Sequence, residues 1–108
     1  MATDPATVDV ILEAISGAGD VSARKMFGEY GVYCDGKIIG LICNDQFFLK
    51  ITEAGRVYIE TPEEGPAYPG AKPSFVIPED RWDDREWMSG VVAASWPEMP
   101  MPKPKKKK

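Results

Sequence analysis

The sequence predicts an α+β fold: one antiparallel β-sheet, a meander of three to five strands, packed by an N-terminal and a C-terminal helix. Three observations predict it. Val8, Ile11, Leu12 and Ile15 recur at helical spacing near one end, and Trp87, Met88, Val91, Val92 and Ser95 do so near the other. Between them, Asp35-Gly36 and Asn44-Asp45 each separate two runs rich in β-branched and aromatic residues. The chain has 108 residues, enough for one domain whose core needs no staples.

The first helix is predicted over residues 4–17. Asp4 suits the N-cap and Pro5 the first helical position, where a missing N–H is harmless. Gly17 is placed to end it in a left-handed conformation. An early strand runs from about Ser22 to Phe27. The meander follows: Tyr30–Cys34, Lys37–Cys43 and Gln46–Ile51. Thr52–Glu60 reads equally as a short helix or an irregular excursion. Residues 61–73 hold four prolines and two glycines and read as loop throughout. Ser74–Ile77 reads as another strand, closed by Pro78. Asp83, with Glu86 three residues on, resembles a capping box for the second helix, which Pro97 stops.

Two-residue turns set a register. Cys34 falls opposite Lys37, Tyr33 opposite Ile38, Gly31 opposite Gly40, Ile42 opposite Phe47 and Gly40 opposite Leu49. One face then holds Tyr33, Ile38, Ile42, Phe47, Leu49 and Ile51, with Gly31 and Gly40 side by side, and is expected to meet the helices. The glycine pair implies close approach of a helix. The other face holds Tyr30, Val32, Cys34, Ile39, Leu41, Cys43, Phe48 and Lys50. It is apolar enough to be either covered or an interaction surface. Cys43 falls across from residue 28, on the face of Cys34 but about 20 Å away at ~3.3 Å per residue. A disulfide needs Cα atoms within about 7 Å, so both thiols are expected free.

Charge narrows the function. The 13 basic and 17 acidic residues give −4. Five of the basic and one of the acidic lie within residues 97–108, which leaves 8 against 16, or −8, for the rest. That balance disfavours a globular nucleic-acid surface, which needs clustered Lys and Arg. No apolar run reaches the ~18–20 residues of a membrane span, and the N-terminus lacks a signal-peptide pattern. A cytoplasmic location is expected, in keeping with free thiols. Histidine is absent, which removes the commonest general base, the usual nucleophile pairs and a common zinc ligand. No catalytic residue, metal or cofactor is therefore assigned, and the chain is expected not to be an enzyme.

Several constellations have plain structural readings. Glu79, Asp80, Asp83, Asp84 and Glu86 suit a helix N-terminus, with Arg81 and Arg85 available to pair. Phe27-Gly28-Glu29-Tyr30-Gly31 has the glycine spacing of a phosphate loop without its third glycine, lysine or following helix. Tyr30, Tyr33, Phe47 and Phe48 could stack on bases, but only Lys50 adds positive charge beside them. The segment PEMPMPKPKKKK reads as a disordered tail, giving a body of 1–96 and a tail of 97–108.

The residues Arg24-Lys25-Met26-Phe27-Gly28-Glu29-Tyr30-Gly31-Val32-Tyr33 resemble the signature of the TfoX (Sxy) N-terminal domain family. The resemblance continues through Asp35-Gly36, Phe48-Leu49-Lys50, Tyr68-Pro69-Gly70-Ala71-Lys72-Pro73 and Asp83-Asp84-Arg85-Glu86-Trp87, and covers about residues 8–95. It implies helices packed on one antiparallel sheet. Its founding members regulate competence genes together with a global transcription activator. They carry a C-terminal helical domain where this sequence has its Pro/Lys tail. The family supplies no catalytic residues.

The expected function is that of a small non-enzymatic cytoplasmic protein acting through protein contacts in transcriptional regulation. Arg24, Lys25, Tyr30, Phe48 and Lys50 are the candidate partner contacts. Lys103, Lys105, Lys106, Lys107 and Lys108 are candidates for an acidic partner. The rival readings are a nucleic-acid-associated protein using the lysine tail and a small-ligand-binding protein. Weak nucleic-acid contact would run through that tail, and homodimerisation is left open.

Overall fold

The computed structural model describes residues 4–26 and 29–99. In chain order these form α1 (Pro5–Ile15), β1 (Val21–Met26), β2 (Glu29–Cys34), β3 (Lys37–Cys43), β4 (Gln46–Leu49), α2 (Glu53–Ile59), β5 (Glu63–Pro66), β6 (Pro73–Ile77) and α3 (Arg85–Ser95). The strands make one antiparallel sheet in the order β1-β2-β3-β4-β6-β5. Val8, Ile11, Ala14 and Ile15 of α1 and Met88, Val91 and Val92 of α3 share a core with Val32, Cys34, Ile39, Ile42, Phe47, Leu49, Phe75 and Ile77. The helices thus lie on one face of the sheet.

Both hairpin turns form as predicted. Asp35 and Gly36 have φ of 49° and 87°, and Asn44 and Asp45 have 55° and 59°. Two successive positive φ values give the turn whose twist matches the strands it joins. Between the turns, however, the ladder is irregular. Tyr33 pairs with Ile38, but Val32 pairs with Gly40, so Ile39 is an extra residue on β3. Such a bulge reverses the alternation of faces beyond it.

The bulge corrects the expected register. Gly31 pairs with Leu41, not Gly40. Ile42, Phe47 and Leu49 face the helices as predicted, but they are joined there by Val32, Cys34 and Ile39. Tyr33, Ile38 and Gly31 lie on the other face, with Leu41, Cys43 and Phe48. The two cysteines are therefore free but on opposite faces, not on one. Residue 28, expected across from Cys43, lies outside the described residues. No helix accounts for Gly40. A Cβ there would run into the Phe48 carbonyl oxygen and come within 3.1 Å of Leu49 Cα, so the close neighbour is the backbone of β4.

Other expectations shift by small amounts. Asp4 caps α1 by accepting from Ala6 N–H, but the helix passes into a 3₁₀ turn at Ser16–Ala18. Gly19 ends that turn with φ of 155° and ψ of −158°, a glycine-favouring conformation but not the left-handed one expected at Gly17. Gly17 instead permits close approach of α3. Its N–H donates to Ser89 Oγ, whose hydroxyl donates to Ala14 C=O, and an added Cβ would lie 2.9 Å from Ser89 Oγ. The N-cap of α3 is Asp84 rather than Asp83, with its carboxylate accepting from Trp87 N–H at 3.1 Å. Within residues 61–73, Glu63–Pro66 forms β5, an edge strand ending in a Pro66–Pro73 pair. Proline is tolerated there because an edge leaves one side of the backbone unpaired.

Thr52–Glu60 resolves as the short helix α2, and the C-terminal end of the body holds it. Thr52 Oγ1 accepts from Gly55 N–H. Trp96–Glu98 forms a 3₁₀ turn that brings the Glu98 carboxylate to the first turn of α2, where it accepts from Glu53 N–H at 2.9 Å and Ala54 N–H at 2.8 Å. Met99 is 3% exposed and joins the core. The boundary expected after Trp96 thus falls three residues too early: Pro97–Met99 belong to the packed body. Residues 100–108, including all five tail lysines, lie outside the described residues.

Two outcomes follow. Gly40→Ala should cost more than about 1 kcal/mol, within the 1–3 kcal/mol range of overpacking, because the obstacle is backbone. Urea unfolding measures it, and a neutral result would show that β3 and β4 can separate without loss. A chain ending at Trp96 should lose roughly 2–4 kcal/mol, from the α2 cap and the buried methionine, while one ending at Met99 should match the full chain. Equal stability of the two truncations would remove the role given to Glu98 and Met99.

Candidate contact surface

Alternation along the strands leaves a second sheet face that no described helix covers. Its centre is Tyr33, Ile38, Leu41, Phe48 and Val76, and Cys43 lies beside them. Phe48 is nearly buried among its strand neighbours, while Tyr33, Ile38, Leu41 and Val76 are half-buried. Charged residues ring this strip. Arg24 stands on the edge strand with its guanidinium 5.6 Å from the Tyr33 ring centre. Glu63 is paired with Val76 on β5, and Glu29 Oε2 accepts from Asn44 N–H at 3.3 Å.

The expected contact residues divide between the two faces. Arg24 and Phe48 belong to the outer face, and Lys50 continues it just beyond β4, where its N–H donates to Ile39 C=O. Lys25 and Tyr30 pair with each other on the helix-bearing side, where Tyr30 packs against the core. Lys37, placed opposite Cys34 by the sequence but given no role there, is 4% exposed. Its Nζ donates to Trp96 C=O at 3.0 Å and lies 3.7 Å from that residue's ring centre. This ammonium sits at the C-terminal end of α3, where the helix dipole favours a cation. It is structural, and nothing in its local sequence distinguishes it from a solvated lysine beside a turn.

A cleft of about 470 Å³ opens at the end of the sheet. Lys50, Ile51 and Thr52 line it from the exit of β4, Leu41 from β3, Ala67, Tyr68, Ala71 and Lys72 from the β5–β6 connection, Pro73 and Ser74 from the start of β6, and Glu98 and Met99 from the C-terminal turn. The connection is shaped by Tyr68-Pro69-Gly70-Ala71. Ala71 N–H donates to Tyr68 C=O at 3.0 Å, and Gly70 has φ of 87°. Proline followed by a positive-φ glycine builds a type II turn. The sequence signals the turn but not the cleft, which needs four separate segments.

The chain matches the family model described as TfoX N-terminal domain over residues 13–99. The match ends at Met99, the last described residue of the packed body. A Spirochaeta aurantia protein described as "Uncharacterized 12.7 kDa protein in trpE 5'region" is 34% identical over 108 residues, covering all of this chain and 93% of that protein. Among the described residues, no helix is long and apolar enough to cross a membrane.

The thiols bear on how this surface can be probed. Burial pushes Cys34 above the ordinary thiol value of 9.0, with Asp35 and Asp20 adding to it. Burial, then Glu29, does the same for Cys43. A thiol whose folded pKa is raised favours the fold below the unfolded value, and that contribution is lost as pH rises through the folded value. Stability should therefore fall above pH 9 and show no acid loss from these groups. Cys34→Ser/Cys43→Ser should flatten the alkaline limb. Both thiols of the native protein should react with a disulfide reagent at pH 8 on the order of tenfold or more slowly than in denaturant. Rapid native reaction at either site would contradict its burial.

Proposed function

We propose, from the premise that this chain belongs to the TfoX N-terminal domain family, that it is a non-enzymatic cytoplasmic binding module acting through protein contacts in transcriptional control. The observation that carries the reading is the outer sheet face. An apolar strip of Tyr33, Ile38, Leu41 and Val76, flanked by Arg24 and Lys50, has the apolar centre and polar rim of a protein contact surface. The absence of histidine from the sequence supports a binding role over general acid–base chemistry. The regulatory part of the proposal rests on the family's founding members, which act with a global transcription activator.

The test is titration of the isotopically labelled protein with the purified global transcription activator of its host. Amide shifts should map to Tyr33, Ile38, Leu41 and Val76. Ile38→Asp should weaken binding at least tenfold, the loss of a central apolar contact being worth about 2 kcal/mol, while preserving the helix-side core. No saturable binding would sink the regulatory reading. Binding abolished by removing residues 100–108 and weakened steeply between about 50 and 200 mM salt would assign it to the lysine tail instead.

A further inference from the structure

The basic residues of this acidic body are largely accounted for. Residues 1–96 contain eight: Arg24, Lys25, Lys37, Lys50, Arg56, Lys72, Arg81 and Arg85. Arg24 lies over Tyr33, Lys37 over Trp96 and Arg81 over Trp87. Arg56 pairs with Glu64 at 2.6 Å, and Arg85 meets Glu13 at 3.5 Å and Ser16 Oγ at 3.0 Å. That leaves Lys25, Lys50 and Lys72 without an ion pair or ring contact among the described residues. Two of those three line the same cleft.

The remaining lining explains why that pairing matters. Glu98 is the cleft's one carboxylate, and both its oxygens accept from the first turn of α2. Its charge is therefore already directed at backbone donors, and the cleft keeps two lining lysines, Lys50 and Lys72, with no anion assigned to them. Leu41, Ile51 and Met99 give the cleft apolar wall, and Tyr68, 56% exposed, supplies an aromatic surface. A volume of about 470 Å³ falls within the ~300–1,000 Å³ typical of small-molecule sites.

We propose that this cleft binds a small organic anion: a phosphate or carboxylate held between Lys50 and Lys72, on an apolar or planar body lying against Leu41, Ile51, Met99 and Tyr68. This site shares Leu41 and Lys50 with the outer strip assigned to protein contact, whereas Tyr68, Lys72 and Met99 lie outside that strip, so the effect of Lys72→Gln separates the two assignments. Phenyl phosphate and benzoate, added separately to the labelled full chain, are the probes, with inorganic phosphate and phenol as their separated halves. Phenyl phosphate or benzoate should bind with Kd of ~1 mM or tighter, more tightly than either half. Amide shifts should concentrate at Lys50–Thr52, Tyr68–Ser74 and Met99, and whichever probe binds better names the anion. Lys50→Gln and Lys72→Gln should each weaken binding about tenfold without lowering Tm, since neither lysine has an ion pair to lose. Lys25→Gln should change nothing. No saturable shift by ~10 mM of either probe, equal losses in Lys25→Gln, or binding that disappears when residues 100–108 are removed would each overturn the proposal.

Discussion

The extra residue Ile39 on β3 is the constraint on which the rest of the structure depends. A regular ladder from the Asp35-Gly36 turn would put Cys34 and Lys37 on the face opposite Phe47 and Leu49. The helix layer would then have to cover one set and abandon the other. With Ile39 and Gly40 together facing Val32, both ends of the sheet present their large apolar residues to the same side. Gly40 makes this arrangement feasible at the next strand, where a side chain would strike the Phe48 carbonyl. A single inserted residue thus decides which side is core and which is surface.

The C-terminal end of α3 then closes the molecule. Trp96 Nε1 donates to Cys34 C=O at 2.7 Å, and Trp96 C=O accepts from Lys37 Nζ, so one residue holds both sides of the first hairpin turn. Two residues on, Glu98 caps α2, and Met99 fills the core beneath it. At the opposite end, Asp45 Oδ1 accepts from Asp4 N–H and Thr7 Oγ1, which ties the second hairpin turn to the start of α1. Each tight turn therefore anchors a helix end. These are contacts in which charged or polar groups satisfy backbone that would otherwise be left unpaired.

The family signature does not form one surface. Along β1 and β2, Arg24, Gly31 and Tyr33 lie on the outer face, while Lys25, Tyr30 and Val32 lie on the helix side. Asp35-Gly36 is a backbone requirement, since both residues need positive φ. Lys50 and the Tyr68–Pro73 segment, far apart in the chain, meet at the cleft. A motif read along the chain mixes core, turn and surface, and only the pleat and the turns sort them.

The sequence by itself determined the N-terminal and C-terminal helices with their apolar stripes, the strands of the meander, both two-residue turns and the class of the fold. These depend on local periodicity and on residues that tolerate particular φ values, which a short window carries in full. It also determined that the thiols would not pair, because a large separation along the ladder survives a one-residue change in register. Only the tertiary structure decided the facing of β2 against β4, because the bulge depends on what packs against Ile39. It also decided the strand at Glu63–Pro66, since an edge strand forms by pairing with β6 in spite of its terminal proline. The fate of Pro97–Met99 was likewise outside local reach: proline spacing marks a helix end, but the N–H groups that bind Glu98 lie 44 and 45 residues away. Pairing, capping and cleft formation between distant segments depend on where the whole chain places them, and local pattern holds no record of that placement.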